Sequence, residues 1–128
     1  MINVFAIIGA ALLFIAAVFE VLLVGGLPLG EFTMGGRYKV LPPMMRVAAV
    51  FSLLTQVFAA LVLIQASGLM NMWFSFGVTR IICYVFAGFF AVNTVMNFFS
   101  TSRKEKLVMT PLALVEAVCF LVTAILMK

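Results

Sequence analysis

The chain has 128 residues, 66% of them hydrophobic and only 9% charged, with a net charge of +4 and no histidine. A water-soluble domain carries about a quarter charged residues, so this composition excludes a soluble globule and points to an integral membrane protein. Without histidine the commonest general base and metal ligand are missing, and Cys83 and Cys119 cannot by themselves form a disulfide framework or a zinc site, so no metal and no cofactor is expected.

Four apolar stretches are long enough to cross a bilayer, which takes about 20 residues of helix: residues 2–27, 44–66, 74–99 and 108–127. The expected fold is all-α, a four-helix transmembrane bundle forming a single domain over residues 1–128. Continuous apolar runs without alternation exclude a membrane barrel. The first span lacks a basic start and carries Glu20 in "IAAVFEVLLVGG", so it is read as a helix rather than a secretory signal.

After the first span comes "GLPLGEFTMGGRYKVLPP", whose length exceeds what two antiparallel helices need. Its turn glycines and charged Glu31, Arg37 and Lys39 suggest a segment folded back over one mouth of the bundle. Pro42-Pro43 opens the second helix, where a proline's missing N–H costs no hydrogen bond. "SGLMN" is a tight uncharged turn before the third helix, and Trp73 beside it reads as an interfacial anchor. "STSRKEK" is a polar, basic connection, after which Thr110-Pro111 is expected to open the fourth helix.

Arg37, Lys39, Arg46, Arg103, Lys104 and Lys106 gather on one side of the four spans, leaving Arg80 and Lys128 on the other. The positive-inside rule therefore places loops 28–43 and 100–107 in the cytoplasm and both termini outside. Arg46, Arg103, Lys104 and Lys106 are candidates for contact with lipid headgroups. The basic residues flank apolar segments and form no soluble patch, so the expected partners are membrane lipids, not nucleic acid. Arg80 is read as snorkelling to the outer surface, and Cys83 and Cys119 as small buried hydrophobes.

The most informative residues are polar ones inside the spans. At 1.5 Å rise per residue, Glu20 and Glu116 each lie roughly eight residues from the cytoplasmic end of their spans. Ser52 and Gln56 on the second helix and Asn93 and Asn97 on the third fall at similar heights. Helical periodicity gives each of the four groups an inward stripe, such as Gly9, Leu13, Ala16 and Glu20, or Leu112, Glu116, Phe120 and Thr123. Small residues beside the polar ones suit close packing in lipid.

Two carboxylates near each other in a low dielectric do not comfortably both carry charge. What charge remains calls for a proton, a metal or organic cation, or the reach of Arg46. The leading expectation is a proton- or cation-linked transporter or channel-like protein using Glu20, Glu116, Asn93, Asn97, Gln56 and Ser52. The alternative is a non-catalytic scaffold or accessory subunit in which the acids are interhelical fasteners, and a thin bundle of this kind is expected to form a homo-oligomer or to join a membrane-protein partner. Enzymatic action on a lipid, with the carboxylates as acid and base, is the weakest reading, because no serine, cysteine or threonine has a histidine partner. No phosphate-cradling glycine motif occurs.

"GLPLGEFTMGG", "LPPMMR" and "NFFSTSRKEKLVMTPLAL" together resemble a group of small bacterial four-helix membrane proteins of unassigned function. The resemblance covers nearly the whole chain and rests on Gly26, Pro28, Gly30, Gly35, Gly36, Pro42, Arg46, Asn97, Ser102, Glu105 and Pro111. It implies the same four-helix architecture and brings no activity with it. A weaker likeness is to small multidrug-resistance transporters, whose first-helix glutamate would correspond to Glu20. The longer first loop, the second intramembrane acid and the strong charge bias of this chain depart from that pattern.

Overall fold

The computed structural model describes residues 4–30 and 38–127. They form α1 (Val4–Val24), α2 (Pro43–Ser67), α3 (Phe76–Phe98) and α4 (Arg103–Leu126), with no strand among the described residues. All four helices are long and apolar enough to cross a membrane, and the chain reads as a multi-pass membrane protein. Large apolar side chains such as Val18, Phe51, Ile81, Val85 and Leu114 stand exposed on the outer faces, a surface suited to hydrocarbon and unsuited to water.

Local chemistry sets the helix ends. At the end of α1 the chain turns through Gly26, whose φ of 94° is open to glycine with little strain, and the Gly26 N–H donates to the Leu23 carbonyl at 3.1 Å. Pro43 occupies the first turn of α2, as its missing donor allows, and Gly68 closes that helix at φ 88°. Ser75 caps α3 by accepting from the Val78 N–H at 3.2 Å.

The fourth helix departs from the sequence expectation. It begins at Arg103, one turn and more before Thr110-Pro111, and Pro111 lies inside it. The reason is Ser102, whose hydroxyl accepts the Glu105 N–H at 3.3 Å. Ser102-Arg103-Lys104-Glu105 has the S-x-x-E pattern of a capping box, which is strong enough to wind the basic cluster into the first turn. Pro111 withholds the N–H that the Leu107 carbonyl would otherwise receive.

α1 packs along α2, and α3 along α4, as two antiparallel hairpins. The hairpins join mainly through α1 and α4, whereas α2 and α3 touch only lightly although they are consecutive. Gly9 allows this seam: a Cβ there would sit 2.7 Å from Leu63 Cδ1 on α2 and 2.9 Å from Cys119 Cβ on α4. Close approach through small residues is the main route to helix association in lipid.

One core cluster joins Ala6, Ala10 and Leu13 of α1 to Leu63, Phe90 and Phe120. Phe90 and Phe120 stack with ring centroids 5.6 Å apart. A smaller cluster of Leu23, Leu41 and Ala49, backed by Phe19, Leu29 and Tyr38, packs where the α1–α2 connection meets the bundle. The end carrying that connection and the α3–α4 connection is called the loop end below.

Candidate functional site

Between the packed core and the loop end, all four helices leave a cavity of about 490 Å³. Its polar lining is Glu20 of α1, Gln56 of α2, Asn93 and Asn97 of α3, and Glu105 and Glu116 of α4. Its apolar wall includes Ile15, Phe19, Leu29, Phe90, Met109 and Leu112. No lysine or arginine among the described residues lines it. Asn97 and Glu105 lie near the helix ends at the mouth, while Gln56, Phe90 and Glu116 lie deeper. Beyond Phe90 the bundle is filled by the aromatic and aliphatic core, so the cavity is a vestibule closed at its inner end.

Glu20 is positioned one turn before the end of α1, shallower than the sequence suggests because α1 stops at Val24. Its Oε1 accepts the Ser52 hydroxyl at 3.1 Å and, more weakly, the Gln56 amide at 3.5 Å. Gln56 Nε2 also lies 3.5 Å from Ser52 Oγ. Ser52 thus stands behind Glu20 as a donor and does not itself line the cavity. These three residues tie α1 to α2, and a polar tie of this kind within a membrane is worth about 0.6–2 kcal/mol.

Glu116 is in a different position. It is only 3% exposed, and its Oε1 is buried without a hydrogen-bond partner among the described residues. Among the described residues neither Glu20 nor Glu116 has an ion-pair partner. Arg46 does not reach them. Its Nε donates to the Leu41 carbonyl at 2.8 Å, and its guanidinium lies against Gly26, where a Cβ would come within 3.0 Å of Nη2. The side chain fastens the α1–α2 connection to the start of α2.

Glu105 is the residue that sequence reasoning passed over as part of the site. Its signal in the sequence is the S-x-x-E pattern that it completes with Ser102. It lies in the first turn of α4, three residues after the Ser102 cap, and is 8% exposed in the lining of the cavity. No three cysteine or acidic side chains among the described residues converge closely enough to hold a metal ion. The three carboxylates come from α1 and α4 and share the cavity lining.

The remaining candidates lie elsewhere. Arg103, Lys104 and Lys106 are exposed on the first turn of α4, with Lys106 Nζ 4.9 Å from the Phe98 ring centroid. Lys39 is exposed, and its carbonyl accepts the Gly30 N–H at 2.8 Å; Glu31 and Arg37 lie outside the described residues. Cys83 and Cys119 are buried free thiols. Arg80 is half-buried, its guanidinium 5.7 Å from the Tyr84 ring centroid.

At the end away from the loops, the buried Gln65 side chain accepts the Trp73 N–H at 2.7 Å and secures the α2–α3 turn. Its position in an apolar run carried no signal that distinguished it from packing. No family model, curated protein or solved structure matches this chain.

Proposed function

We propose that this protein is a small cation-binding membrane protein, and that Glu20, Glu105 and Glu116 form the site at which a proton or cation is taken up for transport. The observation that carries the reading is a vestibule shared by all four helices, lined by these carboxylates and by Asn93, Asn97 and Gln56, with no basic residue on its wall among the described residues. An acid placed within a membrane span is costly unless it is paired or functional, and the Glu116 carboxylate has no partner within the described chain. The dry core beyond Phe90 favours a carrier that changes shape over a standing pore. In this reading the vestibule opens to the cytoplasm, the side to which the positive-inside rule assigns the loops that carry Arg103, Lys104 and Lys106. A second copy or another membrane protein completes the thin bundle.

Flux in liposomes loaded with a pH-sensitive dye tests this function. Wild-type protein moves protons or alkali cations, and a Glu20→Gln, Glu116→Gln double variant does not. Flux that survives in the double variant removes Glu20 and Glu116 from the mechanism.

The Glu20–Ser52–Gln56 cluster supports a second reading, in which the protein is a scaffold or accessory subunit and Glu20 is an interhelical fastener. That reading expects the Gln substitutions to leave function intact. It also expects a stoichiometric membrane partner to co-purify, and no intrinsic flux from the protein alone.

A further inference from the structure

Arg80 stands apart from the other basic side chains. Arg46 is fastened to the α1–α2 connection, and Arg103, Lys104 and Lys106 are exposed at the loop end. Arg80 is near the start of α3, at the end away from the loops, in a helix of 23 residues. Such a helix is about 34 Å long against about 30 Å of hydrocarbon, which puts the Arg80 backbone a few Å inside the boundary where lipid phosphates begin. Trp73, exposed just ahead of α3, is of the side-chain type that favours that same level.

A snorkelling arginine carries its guanidinium out of the hydrocarbon. Arg80 holds its guanidinium 5.7 Å from the ring centroid of Tyr84, a residue one turn farther into the span. Its Nε is buried and has no hydrogen-bond partner among the described residues. The terminal nitrogens also lack a partner there but are not enclosed in the same way, so the fork is closed behind and open at its tip. None of the described acidic side chains stands at this end, because Glu20, Glu105 and Glu116 all line the cavity at the loop end. A half-buried charge without a counterion is costly, and a planar guanidinium fork is matched by two oxygens of a phosphate.

The surface next to Arg80 is apolar. At helical spacing, Tyr84, Gly88 and Ala91 continue the face on which Arg80 lies. No atom lies within 4 Å of where a Gly88 Cβ would stand, and Ile81 and Val85 are exposed beside it. The result is a low strip running from the charge toward the middle of the span, shaped for an acyl chain beneath a headgroup.

We propose that Arg80 and this strip bind one anionic glycerophospholipid. Its phosphate meets the Arg80 fork, and one acyl chain lies along Tyr84, Gly88 and Ala91. Tyr84 is a positioning residue whose ring orients the guanidinium. A zwitterionic lipid fits less well, because its ammonium group meets no described acidic side chain at this end. The site is separate from the vestibule and does not depend on the cation-site reading.

The experiment is a lipid titration of the full chain in non-ionic detergent, read by native mass spectrometry. Arg103, Lys104 and Lys106 are replaced by Gln in this background, so that the loop-end cluster holds no lipid. The ligands are dioleoylphosphatidylglycerol, dioleoylphosphatidylcholine, dioleoylglycerol and inorganic phosphate. One phosphatidylglycerol is expected to bind at least about tenfold more tightly than either of the other lipids, and inorganic phosphate should not displace it. Arg80→Gln should abolish the preference, and Arg80→Lys, which keeps the charge and loses the fork, should weaken it about tenfold. Tyr84→Leu should weaken binding while Tyr84→Phe retains it. Gly88→Leu, which fills the strip, should weaken phosphatidylglycerol without changing elution.

Unchanged phosphatidylglycerol binding in Arg80→Gln places the lipid elsewhere and overturns the proposal. Equal binding of dioleoylglycerol overturns it as well, since apolar contact alone would then suffice. Equal binding of phosphatidylcholine overturns the anionic class, and displacement by inorganic phosphate makes this a site for a small anion and not for a lipid. If an Arg80 variant does not elute as the parent protein does, the ligand series on the parent decides alone.

Discussion

Glu20 and Glu116 face one cavity from α1 and α4, yet Glu20 is held by Ser52 at 3.1 Å while Glu116 Oε1 receives no hydrogen bond among the described residues. Two acids of the same type, in the same vestibule, therefore stand in opposite relation to folding. Glu20 contributes to the α1–α2 tie. Among the described residues nothing offsets the burial of Glu116, and a ligand, a proton or water would relieve it.

The asymmetry sets the first prediction. Replacing Glu116 with Leu removes a buried unsatisfied carboxylate, and such replacements by apolar groups of similar shape are neutral or stabilising. Glu20→Leu breaks the bond to Ser52 and takes from Gln56 its carboxylate acceptor, leaving it only Ser52 Oγ, at a cost of about 1–2 kcal/mol. Thermal unfolding in one detergent should place Glu116→Leu at or above wild type and Glu20→Leu below it. A lower midpoint for Glu116→Leu than for Glu20→Leu would show that Glu116 has an internal partner after all.

The α1–α4 seam gives the second prediction. A methyl group at position 9 meets Leu63 Cδ1 and Cys119 Cβ at distances too short for van der Waals contact. Leu63 can rotate its terminal methyl, but a Cβ moves only with its helix. Gly9→Ala is expected to destabilise the bundle by about 1–3 kcal/mol, the usual range for overpacking. Gly9→Ala combined with Cys119→Gly should recover part of that loss beyond the sum of the single effects, and a double-mutant cycle on unfolding midpoints measures the coupling.

Much of this geometry was legible in the residues, because membrane spans announce themselves by length and apolar continuity. Helical periodicity then brought Glu20, Gln56, Asn93, Asn97 and Glu116 to inward faces, and all five line the same cavity. The misplaced start of α4 shows where such reading stops. Arg103, Lys104 and Lys106 looked like a loop because charged residues usually leave the span, whereas a cap at Ser102 let the helix run on past the apolar core. Which helices form the central seam was not legible, since the union of α1 with α4 depends on how Gly9 and Cys119 fit across the bundle.

That cap can be tested by itself. Ser102→Ala removes the acceptor for the Glu105 N–H and is expected to cost about 1 kcal/mol. The loss should be local: faster amide exchange across Arg103–Leu107, with the core of α4 around Phe120 unchanged. Ser102→Asp, which keeps an acceptor and adds negative charge at a helix N-terminus, should restore protection. Uniform loss of protection along α4 in Ser102→Ala would assign Ser102 a role beyond the cap.

Arg46 separates two readings of a basic residue near the membrane surface. A headgroup site depends chiefly on positive charge, which Lys supplies. A clamp on the α1–α2 connection depends on the guanidinium's shape, because Nε reaches the Leu41 carbonyl while the terminal nitrogens lie against Gly26. Arg46→Lys keeps the charge and loses that geometry. The structure supports the clamp, so Arg46→Lys should lower stability by about 1 kcal/mol and speed amide exchange at Gly30, whose N–H is bonded to the Lys39 carbonyl in the same connection. Because Leu29 of that connection lines the vestibule, the same substitution should also loosen the apolar wall and raise the exchange of the Leu29 amide. If Arg46→Lys leaves both amides as protected as in wild type while Arg46→Ala exposes them, charge rather than fork geometry is what the connection uses, and the clamp gives way to an electrostatic role at the bilayer surface.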